Sequence, residues 1–386
     1  MKKEKTICIL ATVYITLNAF VLPTIESLQR AGFSVTLVAS MSRKFIEKNS
    51  TKCKLINIGM ERGVRPIGMI RSIWTLYRLF RKEKFDIIQY ATPNASLYAS
   101  IASKIAGCHK RVYCQWGIRY VGLDGFSRKL FKSLEKITCN LSTHIRPASQ
   151  KNLEFAVSEG LYKASKAKII GNGGTVGIDL KEFNVKNKEI NKERMIALYP
   201  HLSRKIVFGF VGRLDKDKGV NELFEAFLKI NEHFEDAALI VLGNFDKPAG
   251  INKDLLNRVE KLDNVIFTGH VNDVPKYISC FDVLVHPSYR EGFSMVIQQA
   301  MAMKVAVITS DIAGPSEVIV AGESGITVDA KSSEQLSVAM QELISNPMKR
   351  GRFANSGYLR AKTLFYRERM VDLTVIDRND IYNIKN

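Results

Sequence analysis

The chain has 386 residues, 46% of them apolar and 25% charged, with six cysteines and a formal net charge of +19. That length spans roughly two to three ordinary domains, and the composition excludes disordered and fibrous classes. The cysteines, at 8, 53, 108, 114, 139 and 280, form no CxxC and no zinc-type spacing, which argues against a disulfide scaffold or a cysteine metal site and fits a reducing cytoplasm.

The first predicted element is a buried strand. Lys2, Lys3 and Lys5 precede an apolar stretch, Thr6 to Leu22, that imitates a signal peptide or anchor. Ile7, Ile9, Val13 and Ile15 with interspersed Thr favour a strand instead, Asn18 interrupts the run, and no clean Ala-x-Ala site follows. No other stretch reaches the ~18 apolar residues of a membrane span, so no transmembrane helix is expected. Further β-rich runs follow at Phe33–Ala39, Lys54–Ile58, Phe85–Tyr90, Arg111–Gln115 and Lys168–Gly171, with helix-length segments between them. The polar stretch Lys181–Arg204 reads as a linker. The rhythm then restarts at Lys205–Val211, Ala238–Leu242, Asn264–Thr268, Phe281–His286 and Val305–Thr309. Two such series predict an α/β fold of two doubly wound, Rossmann-like domains, residues 1–190 and 191–365. Ligands of open parallel sheets lie beyond the carboxyl ends of the strands, so the active cleft is expected between the domains.

The charge is not spread evenly. Residues 1–190 hold 32 Lys+Arg against 13 Asp+Glu, an excess of 19, and the remainder holds 25 against 25. The first half is therefore expected to meet something acidic: nucleic acid, an anionic membrane surface or a phosphorylated substrate. Two of its helical segments are basic and amphipathic. Met69–Lys84 sets Ile70, Ile73, Trp74, Tyr77 and Phe80 among Arg71, Arg78, Arg81, Lys82 and Lys84; Phe126–Ile137 sets Leu130, Phe131, Leu134 and Ile137 against Arg128, Lys129, Lys132 and Lys136. Each could lie in the headgroup plane of an anionic leaflet. The alternative for both is an ordinary sheet-covering helix with a solvated basic face.

Chemistry is concentrated in two clusters of the neutral half. Val285–Glu317 reads as a strand ending at His286, a turn at Pro287, a loop with Glu291 and Gly292, and a helix from about Ser294 to Met303. Free N–H groups and the positive dipole end at that helix start form an anion site suited to a diphosphate. Gln299, eight residues after Glu291, returns to nearly the same helical face, so both can address one extended ligand. The second cluster, F-V-G-R-L-D-K-D-K-G from Phe210 to Gly219, places Arg213 and Lys218 on a strand-to-helix loop, where they could clamp phosphates as a planar fork and a point charge.

With these motifs in this order, the second half resembles a retaining glycosyltransferase of the large GT-B family 4, the type that assembles bacterial surface polysaccharides. The resemblance implies that Arg213 and Lys218, beside Gly212, hold the donor pyrophosphate, that Glu291 contacts the transferred sugar, and that the backbone of Gly292, Phe293, Ser294 and Met295 caps the phosphate. The first half agrees more loosely, through Phe20-x-x-Pro23, Gly171-Asn172-Gly173 before Gly177-Ile178-Asp179, and Phe183. Residues 366–386 resemble the family's helix that returns to the first domain. Two positions depart from the pattern. Gln299 stands where the family usually has a ribose-binding glutamate, a change that costs on the order of 1 kcal/mol of a hydrogen bond. Trp116 occupies the place of a histidine in the sequence Cys114-Gln115-Trp116-Gly117-Ile118-Arg119, so Trp116, Arg119 or Tyr120 is expected to shape the acceptor or sugar pocket.

The expected activity is transfer of a sugar from a nucleotide-diphosphate donor, a UDP-sugar, to a polyprenyl-diphosphate-linked or oligosaccharide acceptor in capsule, O-antigen or exopolysaccharide assembly. The enzyme would be cytoplasmic and peripherally attached to the inner face of the plasma membrane. No metal and no other cofactor is expected: Asp215-Lys216-Asp217 imitates a metal-binding DxD but reads as solvated loop, and the six histidines are scattered with no i, i+4 pair, His286 reading as structural. Two rival readings are a UDP-sugar 2-epimerase of the same fold and a basic nucleic-acid-binding protein, the latter lacking any helix-turn-helix or RNP motif.

Overall fold

The computed structural model describes residues 4–60, 66–245 and 250–384; Lys2 and Lys3 lie outside them. The contacts divide the chain into two units, Met1–Val176 with Glu368–Asn386, and Gly177–Arg367. The division thus falls at Val176 and Gly177 rather than at 190, and the last helix, Arg367–Asn383, belongs from Glu368 onward to the first unit.

The first unit is built on a six-stranded sheet in the order β3-β2-β1-β4-β5-β6: β1 Lys5–Val13, β2 Phe33–Ser40, β3 Lys54–Asn57, β4 Ile87–Ala91, β5 Lys110–Gln115 and β6 His144–Pro147. All pairings are parallel. Alternate residues of β1 feed opposite cores: Cys8 and Leu10 join one apolar cluster and Ile7, Ile9 and Ala11 the other. A strand buried on both faces reads as a continuous apolar run, which is why Thr6–Leu22 imitates an anchor while Lys5–Val13 is the central strand of a sheet.

The second unit repeats the plan with β7 Ile206–Val211, β8 Ala237–Leu242, β9 Val265–Gly269, β10 Val283–His286, β11 Ala306–Ser310 and β12 Ile326–Val328. Their order is β12-β11-β10-β7-β8-β9. Renumbered within the unit this is the same doubly wound order, so each sheet has a switch point between its first and fourth strands, where ligands of such sheets bind.

The structure departs from the sequence expectations at three places. Lys168–Gly171 is not a strand; only Ala167 bridges to Ile145, and the edge position goes to His144–Pro147. The second edge, Ile326–Val328, is a strand of three residues. These two of the four edge strands carry too few apolar residues to show the period of a strand. Lys181–Arg204 is not a bare linker: Lys188–Leu198 is a helix whose Met195 is fully buried. Its Lys188 Nζ donates to the Lys304 carbonyl at 2.8 Å and its Asn191 to Ser279 at 3.2 Å. Among the described residues no helix is long and apolar enough to cross a membrane, and all six cysteines are free thiols.

Candidate active site

Both chemical motifs lie at the switch point of the second unit, one on the loop leaving β7 and the other on the loop leaving β10. Gly219 explains how the two come together. Its φ is +69°, and a Cβ there would stand 2.0 Å from the Pro287 carbonyl oxygen, so only glycine lets the first loop touch the second. Three further ties fasten them: the Tyr289 N–H donates to the Asp217 carbonyl at 2.8 Å, Arg290 donates through Nε and Nη2 to Asp217 Oδ2 at 3.0 and 2.6 Å, and the Tyr289 hydroxyl donates to Glu222 Oε1 at 2.5 Å.

These ties correct the reading of Asp215 and Asp217 as solvated loop. Asp217 is the anchor for Arg290, while Asp215 caps the 3-10 turn Lys216–Lys218 by accepting the Lys218 N–H at 3.1 Å and pairs with Arg213 at 2.7 Å. The loop is thereby held with Arg213 55% exposed at its rim and Lys218 turned inward.

Lys218 Nζ donates to Glu291 Oε1. The same oxygen lies 3.6 Å from His286 Nε2. Burial alone would push the Glu291 carboxyl up, but Lys218 and then His286 outweigh it and hold the group well below the usual carboxylate range. His286 is itself buried, with Nε2 3.1 Å from Ser294 Oγ and Nδ1 3.4 Å from Thr309 Oγ1. The sequence expectations bring Lys218 and Glu291 to one ligand; the structure adds His286 to the pair.

The helix after Glu291 runs Met295–Ala302, with Ser294 as its N-cap accepting the Ile297 N–H at 3.4 Å. Gly292 is buried against Gly314, whose φ is +94° and whose Cβ would lie 2.3 Å from the Gly292 carbonyl oxygen. The Phe293 ring packs edge-on against Phe365, centroids 5.5 Å apart, so of Phe293 only the backbone is offered to a ligand. Ser294 has committed its hydroxyl to the cap and to His286, which leaves it too a backbone role. Gln299 is half-buried on the helix, about one turn in.

One part of the site had no motif to announce it. An open depression of about 510 Å³ is lined by Gly212 and Arg213 after β7, by Gly243, Asn244 and Phe245 after β8, and by His270, Val271 and Val274 after β9. Gly243 is required there, since at φ +140° its Cβ would stand 1.7 Å from the Gly212 carbonyl oxygen. Asn244 Oδ1 accepts the His270 N–H at 2.9 Å and so fixes one loop to the next. Glycines at the ends of β8 and β9 were the only available signal.

In the first unit the three expected acceptor-side residues do not gather. Trp116 packs on Phe20, centroids 5.3 Å apart, over a cavity shared with Gln89, Arg146 and Arg378. Arg119 and Tyr120 line a different and mainly apolar cavity, with Met69, Leu97, Phe131 and Leu134. Arg119 stacks on Phe131 at 4.2 Å, and the Tyr120 hydroxyl donates to Glu159 at 3.2 Å. Glu135 borders the same cavity; burial pushes its carboxyl up, against hydrogen bonds from Gln115 and Tyr113. The first unit also has no glycine-rich turn at its own switch point. There Thr12 and Thr92 join through their hydroxyls at 2.7 Å, Thr92 with φ +68°.

The basic amphipathic helices are Pro66–Glu83 and Gly125–Leu141. Their inward faces differ from expectation. In the first, Ser72, Leu76 and Phe80 are buried while Ile67, Ile70 and Trp74 are 86%, 65% and 59% exposed. In the second, Glu135, Thr138 and Cys139 are buried and Phe126 is 80% exposed. Large apolar side chains therefore stand in solvent among the cations.

Two families match the chain: Glycosyl transferase 4-like over residues 6–149 and Glycosyl transferases group 1 over residues 191–360. The second half thus matches the group 1 glycosyltransferases, and the chain is a glycosyltransferase of GT-B fold. It is 27% identical over 341 residues to the capsular polysaccharide biosynthesis glycosyltransferase CapM of Staphylococcus aureus, covering 88% of each chain. It is 26% identical to the UDP-Gal:alpha-D-GlcNAc-diphosphoundecaprenol alpha-1,3-galactosyltransferase of Escherichia coli, over 66% of this chain and 65% of that one. In fold it resembles Anabaena HepE in complex with UDP, with a TM-score of 0.78 at 17% identity over 97% of this chain and 100% of that one. These likenesses favour neither the epimerase nor the nucleic-acid reading.

Proposed function

We propose that the enzyme moves a sugar from a UDP-sugar to a lipid-linked or oligosaccharide acceptor, with retained anomeric configuration, in the assembly of a bacterial surface polysaccharide. The observation that carries this reading is the pair of loops locked at the switch point of β7 and β10, with Lys218 turned to Glu291 ahead of the helix Met295–Ala302 and Arg213 exposed on the same loop as Lys218. A nucleoside would lie in the depression between Asn244, Phe245, His270 and Val271, and its diphosphate would reach Arg213, Lys218 and the helix start. Those groups stabilise the charge that builds on the leaving diphosphate as the glycosidic bond breaks. The departing phosphate oxygen takes the proton of the acceptor hydroxyl, which attacks on the same face. Glu291 holds the transferred sugar, and Gln299 hydrogen-bonds the ribose as a neutral acceptor in place of a carboxylate. Because two cations and a helix end answer the diphosphate charge, the reaction in this reading needs no metal. Full activity after EDTA supports that; loss restored by Mg2+ or Mn2+ contradicts it.

For the acceptor, the reading draws on what related enzymes are called: the E. coli relative acts on a diphosphoundecaprenol-linked sugar, and a Campylobacter jejuni relative, 25% identical over 73% of this chain and 74% of that one, is named for a diphospho-undecaprenol acceptor. Such an acceptor is anionic and sits at an anionic leaflet. The basic first unit, with Ile67, Ile70, Trp74 and Phe126 exposed beside its cations, suits peripheral attachment to that surface, each cation near it contributing about 1 kcal/mol. Trp116, Arg119 and Tyr120 remain the acceptor-side residues of this reading, distributed over two cavities. A melting-temperature panel of UDP-, GDP- and dTDP-sugars tests the donor: stabilisation by a UDP-sugar alone is the expected result.

A further inference from the structure

The hydrogen bonds around His286 determine which of its nitrogens is open. Thr309 Oγ1 has one proton, and it goes to the His286 carbonyl oxygen at 3.0 Å. Towards Nδ1, 3.4 Å away, the same oxygen can only accept. Nδ1 therefore carries the ring proton, and Nε2 is the basic nitrogen. It faces Ser294 Oγ at 3.1 Å and Glu291 Oε1 at 3.6 Å.

Without nucleotide, the cation that answers Glu291 is Lys218. In the donor reading on which this inference rests, Lys218 turns to the diphosphate. A carboxylate packed beside a buried ring would then lose its partner, a costly arrangement. We infer that nucleotide binding is coupled to uptake of one proton from solvent at Nε2 of His286, which replaces Lys218 as the counter-ion of Glu291. His286 is then a positioning residue: it keeps the sugar-contacting carboxylate in place when the lysine is engaged elsewhere. Ser294 Oγ turns to accept from the new N–H, so the imidazolium is satisfied on both sides. Among the described residues, the other charged groups on the elements packed around it are already tied: Asp217 to Arg290, Asp215 to Arg213 and Glu222 to Tyr289. Asp311 lies two residues beyond Thr309, past the end of β11.

The test is titration calorimetry of the full chain with UDP near neutral pH, in two buffers of different ionisation heat, for the native protein, H286Q and E291Q. The terminal phosphate of UDP exchanges protons in all three and cancels in the comparison. The native protein should take up more protons than either variant, by up to one per nucleotide. The same proton balance in native protein and H286Q overturns the coupling while leaving the donor reading standing. Failure of UDP, GDP and dTDP all to bind overturns the donor reading, and the coupling with it. A native-like melting temperature establishes that each variant is folded; if H286Q does not fold, E291Q carries the same comparison.

Discussion

Arg213 and Lys218 share a short loop but have different partners, and their expected losses differ in kind. Arg213 stands at the rim, paired with Asp215, so R213A should leave the melting temperature close to native while turnover falls about 100- to 1000-fold, the usual effect of losing one preorganised donor to a developing anion. K218A should cost a similar factor and also release Glu291. The Glu291 carboxyl titrates below its ordinary range in the folded chain, so its contribution to stability is present above the unfolded value near 4.5 and is lost as pH falls through the lower, folded one. In K218A that loss should begin at higher pH, which acid melts of the two proteins would compare. Gly219 is the third informative position: with φ +69° and the Pro287 carbonyl in the place of a Cβ, G219A should lose on the order of 1–3 kcal/mol and separate the two loops. At this scale the sequence was legible in that its two motifs meet, Lys218 with Glu291. It was not legible for Asp217 or His286, because partners 73 residues away in Arg290 or on a neighbouring strand in Thr309 leave no local pattern.

Elements rich in apolar residues were visible in the sequence, the edges β3 and β9 among them, and the two edges β6 and β12 were not. Strands β1, β2, β4, β5, β7, β8, β10 and β11 lie in or next to the sheet centres and announce themselves as Val/Ile-rich runs, whereas β6 and β12 are edges three or four residues long. Strand β6 holds its place through charge. Arg146 donates to Asp377 of the last helix at 2.9 Å, and Arg378, 1% exposed, pairs with the same carboxylate. Asp377 thus stands between two buried guanidiniums, and D377A should destabilise the first unit by about 3–5 kcal/mol in denaturant melts. His144, the first residue of β6, reports the same neighbourhood: burial first, then Arg146, depress its imidazole to about 4, with Asp377 opposing. Its contribution to stability is therefore fully present above the unfolded value near 6.5 and declines as pH falls towards 4. H144Q should flatten the melting profile across that window.

On the scale of the whole molecule, the even charge of residues 191–386 and the excess of 19 before them match a division of labour between a donor-binding unit and a unit that meets an anionic acceptor. The excess alone allowed nucleic acid, membrane or substrate. The exposure of Ile67, Ile70, Trp74 and Phe126 beside the cations is what a membrane surface uses and a nucleic acid does not. W74A combined with F126A should reduce co-sedimentation with anionic vesicles at physiological salt while leaving the melting temperature near native, since both side chains stand in solvent. Binding that ignores anionic lipid, salt and both substitutions would remove the membrane from the reading.

The central claim is that Arg213 and Lys218 hold the diphosphate of a UDP-sugar for transfer to a lipid-linked acceptor. It is tested most directly by following label from a panel of UDP-sugars into the lipid fraction of a bacterial membrane extract, with native enzyme, R213A and K218A side by side. The expected result is lipid-soluble product from one UDP-sugar with native enzyme and about 100- to 1000-fold less with either variant. Equal transfer by all three proteins, or transfer from no UDP-sugar, would contradict it.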